Sequence, residues 1–336
     1  MLQDFWKISV IVLSALQFTH AWRLVCFCGS YDNQIVIPAD NVQLFTANEA
    51  CFKLDLRTLM YTFGFTGSLE KNGTVSVVNA YTARRDRNFC VVDWTKEADG
   101  IIFPNYSTVS LKALDIGNEF GDLLIKLINA GLKLSSLQLV GHSLGAHMVG
   151  QTGRRLKKNN MTIPRITGLD PAKPLFDGPI ASPLYPRLEK GCAAFVDIIH
   201  TNPTLYGMET ATGTIDFYPN YGKKVQPGCK EGIFLPLSPD GLCSHDRSRD
   251  LWIQALSTPY DLLASNAPDY PTWVKNNGAP IRVTPIGDYT NTTYYGLYYL
   301  TTNGQPPYGR KEEGLKPDPS PIATQTKASL ITLSIL

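Results

Sequence analysis

The chain has 336 residues, of which 43% are hydrophobic and 18% are charged, which is enough material for a large buried core. Its 31 basic and 29 acidic residues nearly cancel and leave a formal net charge of +2. This balance excludes a strong electrostatic attraction to nucleic acid, and the sequence has no basic cluster for an anionic membrane surface. The length alone is compatible with one large α/β domain or with two smaller ones.

The N-terminal segment has the features of a secretory signal. Lys7 precedes a mostly apolar run, residues 8–18, that is too short to span a bilayer. Thr19 and Ala21 place small residues at the two positions that a signal peptidase reads. We therefore predict that residues 1–21 are a signal peptide and that the protein is secreted to the extracellular space. The alternative is an internal first strand or helix.

Cysteine usage fits an oxidising compartment. None of the seven cysteines forms a Cys-x-x-Cys pair, which argues against a zinc site or a thioredoxin-like site. In a secreted chain the natural interpretation is a set of disulfides, and the odd number leaves at least one thiol over. Sequons for N-glycosylation fit the same compartment, at Asn72, Asn105, Asn160 and Asn291.

Strand and helix signals alternate through the middle of the chain. The predicted strands are residues 56–65, 89–94, 134–140, 165–169 and 194–200, and the predicted helices are residues 116–132 and 144–156. Such alternation is typical of the α/β class, in which a mostly parallel central sheet has helices on both faces. Ligands of these sheets bind beyond the carboxyl ends of the strands.

The last third of the chain is rich in Pro, Gly, Asn and Tyr. Residues 292–302 are expected to form a further strand of the same domain, which then covers residues 22–310. Residues 311–336 are predicted to be a disordered tail, because residues 311–327 are polar and contain proline. A removable lipid-anchor signal is the alternative for the apolar residues 328–336.

The pattern Gly141-His142-Ser143-Leu144-Gly145 lies between an apolar run and a predicted helix. This is the G-x-S-x-G pattern in a strand–turn–helix context, where a strained turn holds a nucleophilic serine above the sheet. A side chain at either glycine would collide with the flanking strand and helix. We therefore predict that Ser143 is a nucleophile, and the alternative is a chance match.

A serine hydroxyl needs a base to take its proton, and the base needs an acid to orient it. Of the five histidines, His20 leaves with the signal, His142 is expected to point to the face opposite the serine, and His147 to point away from the attacking side. His200 and His245 remain. His200 closes a buried strand, where a structural role is common. His245 is expected in a polar loop that substrate can reach, which favours it without excluding His200.

Asp170 is the leading choice for the acid, because it follows the predicted strand next after that of the serine and precedes Pro171. Asp93 and Asp197 lie inside their strands and are expected to be structural partners in ion pairs or hydrogen bonds. Both possible bases follow the serine, as in the chain order serine, acid, base of hydrolases with the G-x-S-x-G pattern.

A set of spaced motifs resembles the pancreatic lipase family of α/β-hydrolases: VDW at residues 92–94, GHSLGAH at 141–147, GLDPA at 168–172, VDIIHT at 196–201, DFYPN at 216–220 and CSHDRS at 243–248. The ending, residues 298–310, resembles that of single-domain insect members. The likeness covers roughly residues 50–310, and the spaced set is more specific than any one motif. It implies the α/β-hydrolase fold, with Ser143 as nucleophile, Asp170 as acid and His245 as base.

The resemblance also implies an oxyanion hole made of two backbone N–H groups, those of Leu144 and Phe65. Such donors each contribute about 3 kcal/mol to stabilising the tetrahedral intermediate. The family usually has histidine where this chain has Phe63. The replacement of histidine by Phe63 removes a polar side chain beside the oxyanion hole and leaves the backbone N–H donor in place. The alternative interpretation is that Phe63 simply fills core space.

By the same resemblance, Cys229 and Cys243 form a disulfide that closes a lid, residues 230–242, over the active site. An apolar patch suited to lipid contact comes from four lid residues, Ile233, Phe234, Leu235 and Leu237. An ordinary stapled loop is the alternative. The lid and the loop at residues 202–215 are both short for the family. Short versions are the pattern of its phospholipases A1, because less cover leaves room for a polar head group.

The resemblance bears on cofactors and partners as well. Ahead of the VDIIH strand, residues 184–192 offer Glu189 and no other acidic side chain, so neither calcium nor another metal is expected. The C-terminal lipid-binding sandwich domain of the pancreatic enzyme is expected to be absent, and with it a colipase-type partner. The serine mechanism needs no cofactor.

Together these features predict a secreted phospholipase A1 that acts on lipid at a membrane or lipid-droplet interface. A neutral triacylglycerol lipase is the alternative enzyme. A catalytically weak lipid-binding or yolk-type protein is the alternative from another class. The presence of Ser143, Asp170 and His245 argues against that alternative, whereas Phe63 keeps it open.

Overall fold

The computed structural model describes residues 22–37, 51–100, 102–203, 205–221 and 225–318, so the predicted signal segment and residues 319–336 lie outside the described residues. In the described part, one sheet has the strand order β10-β9-β11-β8-β7-β6-β5-β3-β4-β1-β2. The strands are β1 (Arg23–Phe27), β2 (Gln34–Ile37), β3 (Arg57–Thr62), β4 (Arg87–Asp93), β5 (Leu137–His142), β6 (Arg165–Leu169), β7 (Phe195–Ile199), β8 (Ile215–Pro219), β9 (Leu263–Asn266), β10 (Val283–Pro285) and β11 (Gly296–Leu300).

The middle of the sheet is parallel, from β4 through β3, β5, β6, β7 and β8 to β11. At one edge β1 pairs antiparallel with β4 and β2, and at the other β9 pairs antiparallel with β11 and β10. Strands β4 to β7 are buried along their whole length, as expected for parallel strands covered on both faces. The predicted α/β class with a mostly parallel sheet is confirmed.

The helices lie on both faces of this sheet. From β3 to β4 the chain moves one way across the sheet, and from β4 to β5 and β6 it moves the other way. Because such crossovers are right-handed, the helix between β3 and β4 lies on one face of the sheet. The long helices between β4 and β5 and between β5 and β6 lie on the other face. In the described residues the helices are α1 (Asn72–Thr82), α2 (Thr95–Ala98), α3 (Ile102–Asn129), α4 (Leu144–Lys157), α5 (Pro239–Ser257) and α6 (Tyr270–Lys275). None of them combines the length and apolarity that a membrane span requires.

Helices α3 and α4 approach closely because α3 has two glycines at the contact. A Cβ at Gly117 would lie 2.6 Å from the carbonyl oxygen of Met148, and one at Gly121 would lie 2.6 Å from the Cγ of Arg155. The hydroxyl of Thr152 donates to the carbonyl of Gly117 at 2.9 Å. Four apolar side chains of α3 are buried, those of Phe120, Leu123, Leu124 and Leu127. Helix α4, which follows the predicted nucleophile, is therefore held firmly against its neighbour.

Several predicted boundaries are wrong. Helix α3 begins at Ile102 rather than at residue 116, and β11 begins at Gly296 rather than at residue 292. Strand β5 begins at Leu137, because residues 134–136 form a 3₁₀ turn. The predicted disordered tail also begins too early. Residues 311–315 form a 3₁₀ helix whose Gly314 carbonyl accepts from the N–H of Thr301 at 2.8 Å.

Three disulfides and one free thiol account for the seven cysteines. Cys26–Cys90 joins the neighbouring strands β1 and β4, Cys28–Cys51 lies beside it, and Cys229–Cys243 brackets the predicted lid. Cys192 is the free cysteine; it is buried, and burial raises the pKa of its thiol. The expected odd thiol is therefore an unreactive core residue rather than an exposed group.

Candidate active site

Ser143, Asp170 and His200 come directly after three neighbouring parallel strands, β5, β6 and β7. They therefore meet at the carboxyl edge of the sheet, where ligands of such folds bind. The backbone segments of the first two residues are in contact, because the N–H of Ser143 donates at 3.0 Å to the carbonyl of Leu169, the residue before Asp170. Ser143 is partly exposed, whereas the other two side chains are buried.

Ser143 lies on a strained turn between β5 and α4. Its φ of 56° and ψ of −125° are unusual for a residue with a side chain. A Cβ at Gly141 would lie 2.3 Å from the carbonyl oxygen of Gly145, and a Cβ at Gly145 would lie 2.5 Å from that of Phe63. Crowding at both glycines is confirmed, but the neighbour of Gly145 is the end of β3 rather than the predicted flanking strand. Such a strained strand-to-helix turn is typical of a nucleophile elbow.

His245 and Asp170 are in direct contact. Nδ1–H of His245 donates to Oδ2 of Asp170 at 2.5 Å, and both side chains are buried. This bond sets the tautomer of the imidazole and leaves Nε2 as its basic nitrogen. The expectation that His245 lies in a loop is wrong, because it is in the second turn of α5, between Ser244 and Asp246. A helix restricts the ring more than a loop does.

The carboxylate of Asp170 is held by the loop after β7. Its Oδ1 accepts from the backbone N–H groups of Thr201 at 2.7 Å and Asn202 at 2.9 Å. The loop then turns back, with the N–H of Gly207 donating to the carbonyl of Asn202 at 2.9 Å. With the bond from His245, three donors orient this buried carboxylate.

His142 lies against the ring of His245, although the strand alternation predicted that it points to the face opposite Ser143. Its ring lies 4.8 Å from the ring of His245 between centroids, and its Nε2 lies 3.7 Å from Oδ1 of Asp246. Burial, and after it the nearby His245 and Arg249, hold the pKa of His142 well below its ordinary value. His142 is therefore neutral, and it adds no positive charge beside His245.

His147 is a structural residue on α4. Its Nε2–H donates to the carbonyl of Ala172 at 2.8 Å, and its Nδ1 accepts from the N–H of Leu188 at 3.1 Å. The ring stacks on Phe176 with centroids 3.7 Å apart. Burial lowers the pKa of His147 to about 3, so the ring is neutral. His147 holds the loop after β6 in place through these hydrogen bonds, and its ring does not reach the side of α4 that faces Ser143.

His200 is occupied at both ring nitrogens. Nδ1–H donates to the carbonyl of Met208 at 2.9 Å, and Nε2–H donates to Oδ1 of Asp216 at 2.8 Å. Burial alone would lower the pKa of His200, but the hydrogen bond and the charge of Asp216 outweigh it and raise the pKa. The ring thus links Met208 and Asp216, which lie near the end of the loop that holds Asp170. It has no free nitrogen to act as a base.

The two other aspartates are structural, as expected. The carboxylate of Asp197 forms two hydrogen bonds with Arg165, at 2.9 and 2.7 Å, inside the sheet. Asp93 pairs with Arg23 at 2.8 Å and accepts from the hydroxyl of Thr95. Neither carboxylate forms a hydrogen bond with a histidine in the described residues.

The predicted oxyanion donors lie beside the serine. Leu144 is the first residue of α4, so its N–H has no acceptor inside the helix. Gly64 abuts the elbow, and a Cβ there would lie 2.6 Å from the Cβ of Ser143 and 3.0 Å from the nitrogen of Leu144. In the described residues, the N–H of Phe65 donates to no protein acceptor. Two adjacent segments thus offer free backbone donors near Ser143.

Phe63 is part of the hydrophobic core. It is buried, and its ring stacks on Trp94 at 6.1 Å with an interplanar angle of 11°. Nε1–H of the same Trp94 donates to the carbonyl of Phe63 at 3.0 Å. The side chain therefore fills core space next to the oxyanion donors, and the backbone path to Gly64 and Phe65 is held by Trp94.

The disulfide-closed segment divides into two parts. Residues 230–237, which we call the lid segment, have no regular structure, and α5 begins at Pro239 with Ser238 as its N-cap. The last residues of the predicted lid are therefore helical and lead directly to His245. Ile233 and Leu235 are exposed, whereas Phe234 and Leu237 are half-buried.

In the part of the chain that the structure describes, no group of three or more His, Cys, Asp and Glu side chains could hold a metal ion. Glu189, the acidic residue ahead of β7, lies 3.2 Å from Arg154 in an ion pair.

Sequence reasoning missed two residues near the acid and the base. A Cβ at Gly207 would lie within 2.4 Å of both carboxylate oxygens of Asp170. The ring of Tyr206 lies 5.6 Å from that of His245 between centroids. A glycine in a loop is an available signal for a close approach, but the sequence does not show what is approached.

Comparison with known proteins agrees with this geometry. The model of the lipase family matches residues 31–308. Lipase member H of Xenopus tropicalis is 38% identical over 64% of this chain and 44% of its own length. Pancreatic triacylglycerol lipase of Myocastor coypus is 30% identical over 75% of this chain and 56% of its own length, and that of Cavia porcellus is 32% identical over 72% and 54%. The chain thus spans about half the length of the curated relatives it matches.

The family match covers most of the described residues, and these residues contain the elbow serine, the buried Asp–His pair and the disulfide-closed segment in the expected order. The chain belongs to the pancreatic lipase family of α/β-hydrolases.

Proposed function

We propose that the protein is a secreted serine hydrolase that cleaves acyl esters of lipids, with Ser143 as nucleophile, His245 as base and Asp170 as acid. The observation that carries the proposal is the 2.5 Å hydrogen bond from Nδ1 of His245 to Asp170, beside the strained elbow at Ser143. The chain order and the division of roles are those of α/β-hydrolases.

The mechanism follows from these roles. Ser143 Oγ attacks the ester carbonyl while Nε2 of His245 takes its proton, and Asp170 stabilises the imidazolium that forms. The N–H groups of Leu144 and Phe65 donate to the oxyanion of the tetrahedral intermediate. His245 then protonates the leaving alcohol, and water cleaves the acyl-enzyme by the same route. No step needs a cofactor.

For the substrate we propose a glycerophospholipid cleaved as by a phospholipase A1. The support is steric. The two cysteines of the lid disulfide are 14 positions apart in the sequence, and part of the segment between them is already helix α5, so the lid segment covers little area. The loop between β7 and β8 is tied down over Asp170 rather than extended over the site. A site with little cover accommodates a polar head group.

For the location and partner we propose secretion and action at a lipid surface. Three disulfides fit an oxidising compartment, and the sequon residues Asn72, Asn105, Asn160 and Asn291 are exposed. Two apolar side chains of the lid segment, Ile233 and Leu235, face solvent and are suited to contact a membrane or a lipid droplet.

A triacylglycerol lipase is the second proposal, favoured by relatives named pancreatic triacylglycerol lipase that align with most of the chain. The deciding experiment measures fatty-acid release from phosphatidylcholine labelled differently at its two acyl positions, and from triglyceride, by the secreted protein and by Ser143→Ala. Release from the first position that the variant lacks supports phospholipase A1. Release from triglyceride alone supports the lipase. An absence of Ser143-dependent release from either substrate supports a lipid-binding protein and refutes both enzymes.

A further inference from the structure

The loop after β7 contacts both the lid segment and the base through one side chain. The hydroxyl of Tyr206 accepts from the N–H of Leu237 at 3.2 Å, and its ring faces that of His245 with centroids 5.6 Å apart and planes inclined by 43°. The backbone of Tyr206 is itself fixed, because its carbonyl accepts from the N–H of Lys173 at 2.7 Å. A half-buried tyrosine on an anchored backbone thus lies between the lid segment and the imidazole.

Leu237 is the bend between the lid segment and helix α5. Its φ of 61° is in the left-handed region, which is unfavourable for a residue with a branched side chain. The next residue, Ser238, is the N-cap of α5 and accepts from the N–H of Gly241 at 3.3 Å. On one side of the bend the chain is a capped helix that contains His245, and on the other it is an irregular segment with exposed Ile233 and Leu235. Tyr206 forms its hydrogen bond at the bend itself.

We propose that Tyr206 is a positioning residue with two separable tasks: its hydroxyl clasps the lid segment at Leu237, and its ring holds the imidazole of His245 in the orientation that Asp170 sets. The hydroxyl governs how often the lid segment moves away from the site, because the N–H of Leu237 loses its protein acceptor when the segment moves. The ring limits rotation of the imidazole out of the plane of its bond to Asp170. The second task rests on the proposed hydrolase function, whereas the first does not.

Two substitutions separate the tasks. Tyr206→Phe removes the acceptor and keeps the ring, and Tyr206→Leu removes both. Tyr260→Phe is the matched control, since Tyr260 is an exposed tyrosine that pairs only with Tyr289 among the aromatic contacts of the described residues. Thermal unfolding of each variant shows that it is folded.

Two measurements are made on the full chain. The first is backbone hydrogen exchange of residues 230–237, followed by mass spectrometry. We expect about fivefold faster exchange in both Tyr206 variants, the ratio that corresponds to one net hydrogen bond, and no change in Tyr260→Phe. The second is kcat and KM on a soluble monomeric p-nitrophenyl ester. We expect Tyr206→Phe to keep the wild-type kcat and Tyr206→Leu to lose about tenfold in kcat with unchanged KM, because only the orientation of the base is affected.

Each result decides one task. Equal exchange in the wild type and Tyr206→Phe overturns the clasp, and this holds whether or not the protein is an enzyme. An unchanged kcat in Tyr206→Leu, or an equal loss in Tyr206→Phe, overturns the role of the ring. If the wild type shows no Ser143-dependent hydrolysis, the proposed function and the role of the ring fail together, while the exchange experiment still decides the clasp. Should Tyr206→Leu not fold, Tyr206→Met serves the same purpose.

Discussion

Gly207 lies directly against the carboxylate of Asp170: a Cβ on it would be 2.3 Å from Oδ1 and 2.4 Å from Oδ2. Both distances are far below any real contact between nonbonded atoms, so the acid and the loop that holds it fit only when residue 207 has no side chain. The φ of Gly207 is not left-handed, so the requirement is steric and not conformational.

Gly207→Ala is therefore expected to lower kcat by about 100-fold on a soluble p-nitrophenyl ester, because a displaced Asp170 no longer orients His245. The matched control is Gly191→Ala. A Cβ there would meet only a Glu189 side-chain oxygen, at 3.9 Å. The control should keep wild-type activity. Wild-type kcat in Gly207→Ala would mean that the loop moves aside freely, contrary to the role given to it.

Phe63→His is expected to lower the free energy of unfolding by about 1–3 kcal/mol, because it places a polar ring in the core contact with Trp94. We expect kcat to stay within about threefold of the wild type, since the oxyanion donors are backbone N–H groups. Urea unfolding and ester hydrolysis measure the two effects, and Phe63→Leu separates loss of the aromatic ring from gain of polarity. A rise in kcat of tenfold or more in Phe63→His would show that the wild-type hole lacks a side-chain donor.

His147 is expected to make stability depend on pH in the acid range. Its pKa is about 3 in the folded protein against 6.5 in an exposed chain, so between these values the unfolded state binds the extra proton. Stability from this group is therefore present above pH 6.5 and falls as the pH is lowered, by about 1.4 kcal/mol per pH unit. In His147→Gln, the slope of the unfolding free energy between pH 6 and pH 4 should decrease by that amount in urea titrations. An identical slope in the variant and the wild type would contradict a neutral buried imidazole.

Thiol titration is expected to give three distinct counts. The native protein should show no reactive thiol, because Cys192 is buried and burial raises its pKa. Denaturation without a reductant should expose one thiol per chain, and reduction should expose all seven. Two or more thiols in the unreduced denatured protein would rule out at least one of the three disulfides.

The elbow was predictable because its geometry is local. Gly141, Ser143 and Gly145 lie within one turn, and a Cβ at Gly141 would collide with the helix that directly follows, although a Cβ at Gly145 would collide with the end of β3. The position of Asp170 was predictable for a similar reason, since it comes directly after the strand that follows helix α4. The surroundings of the acid and the base were not predictable. Gly207 and Tyr206 come close to them only through a loop that folds back, and nothing in a loop sequence shows which residue it approaches.

Helix α5 was missed although its start signal is in the sequence. Ser238 is a good N-cap, Pro239 is favoured at the first helical position, and Asp240 is acidic in the first turn. The polar run that follows was interpreted as a loop because few apolar residues mark a buried face. That face is buried by elements that are distant in the sequence. For example, the hydroxyl of Thr201 donates to the carbonyl of His245 at 3.4 Å. Local polarity was therefore a poor guide to burial here.

Ser143 and Asp170 follow adjacent strands, whereas His245 lies on a helix that comes much later in the chain. A growing polypeptide that has left the ribosome only as far as residue 237 already has Ser143 and Asp170, but it does not yet have His245. The contact between His245 and Asp170 thus forms late in synthesis, after the strands that lead to Ser143 and Asp170 have been made.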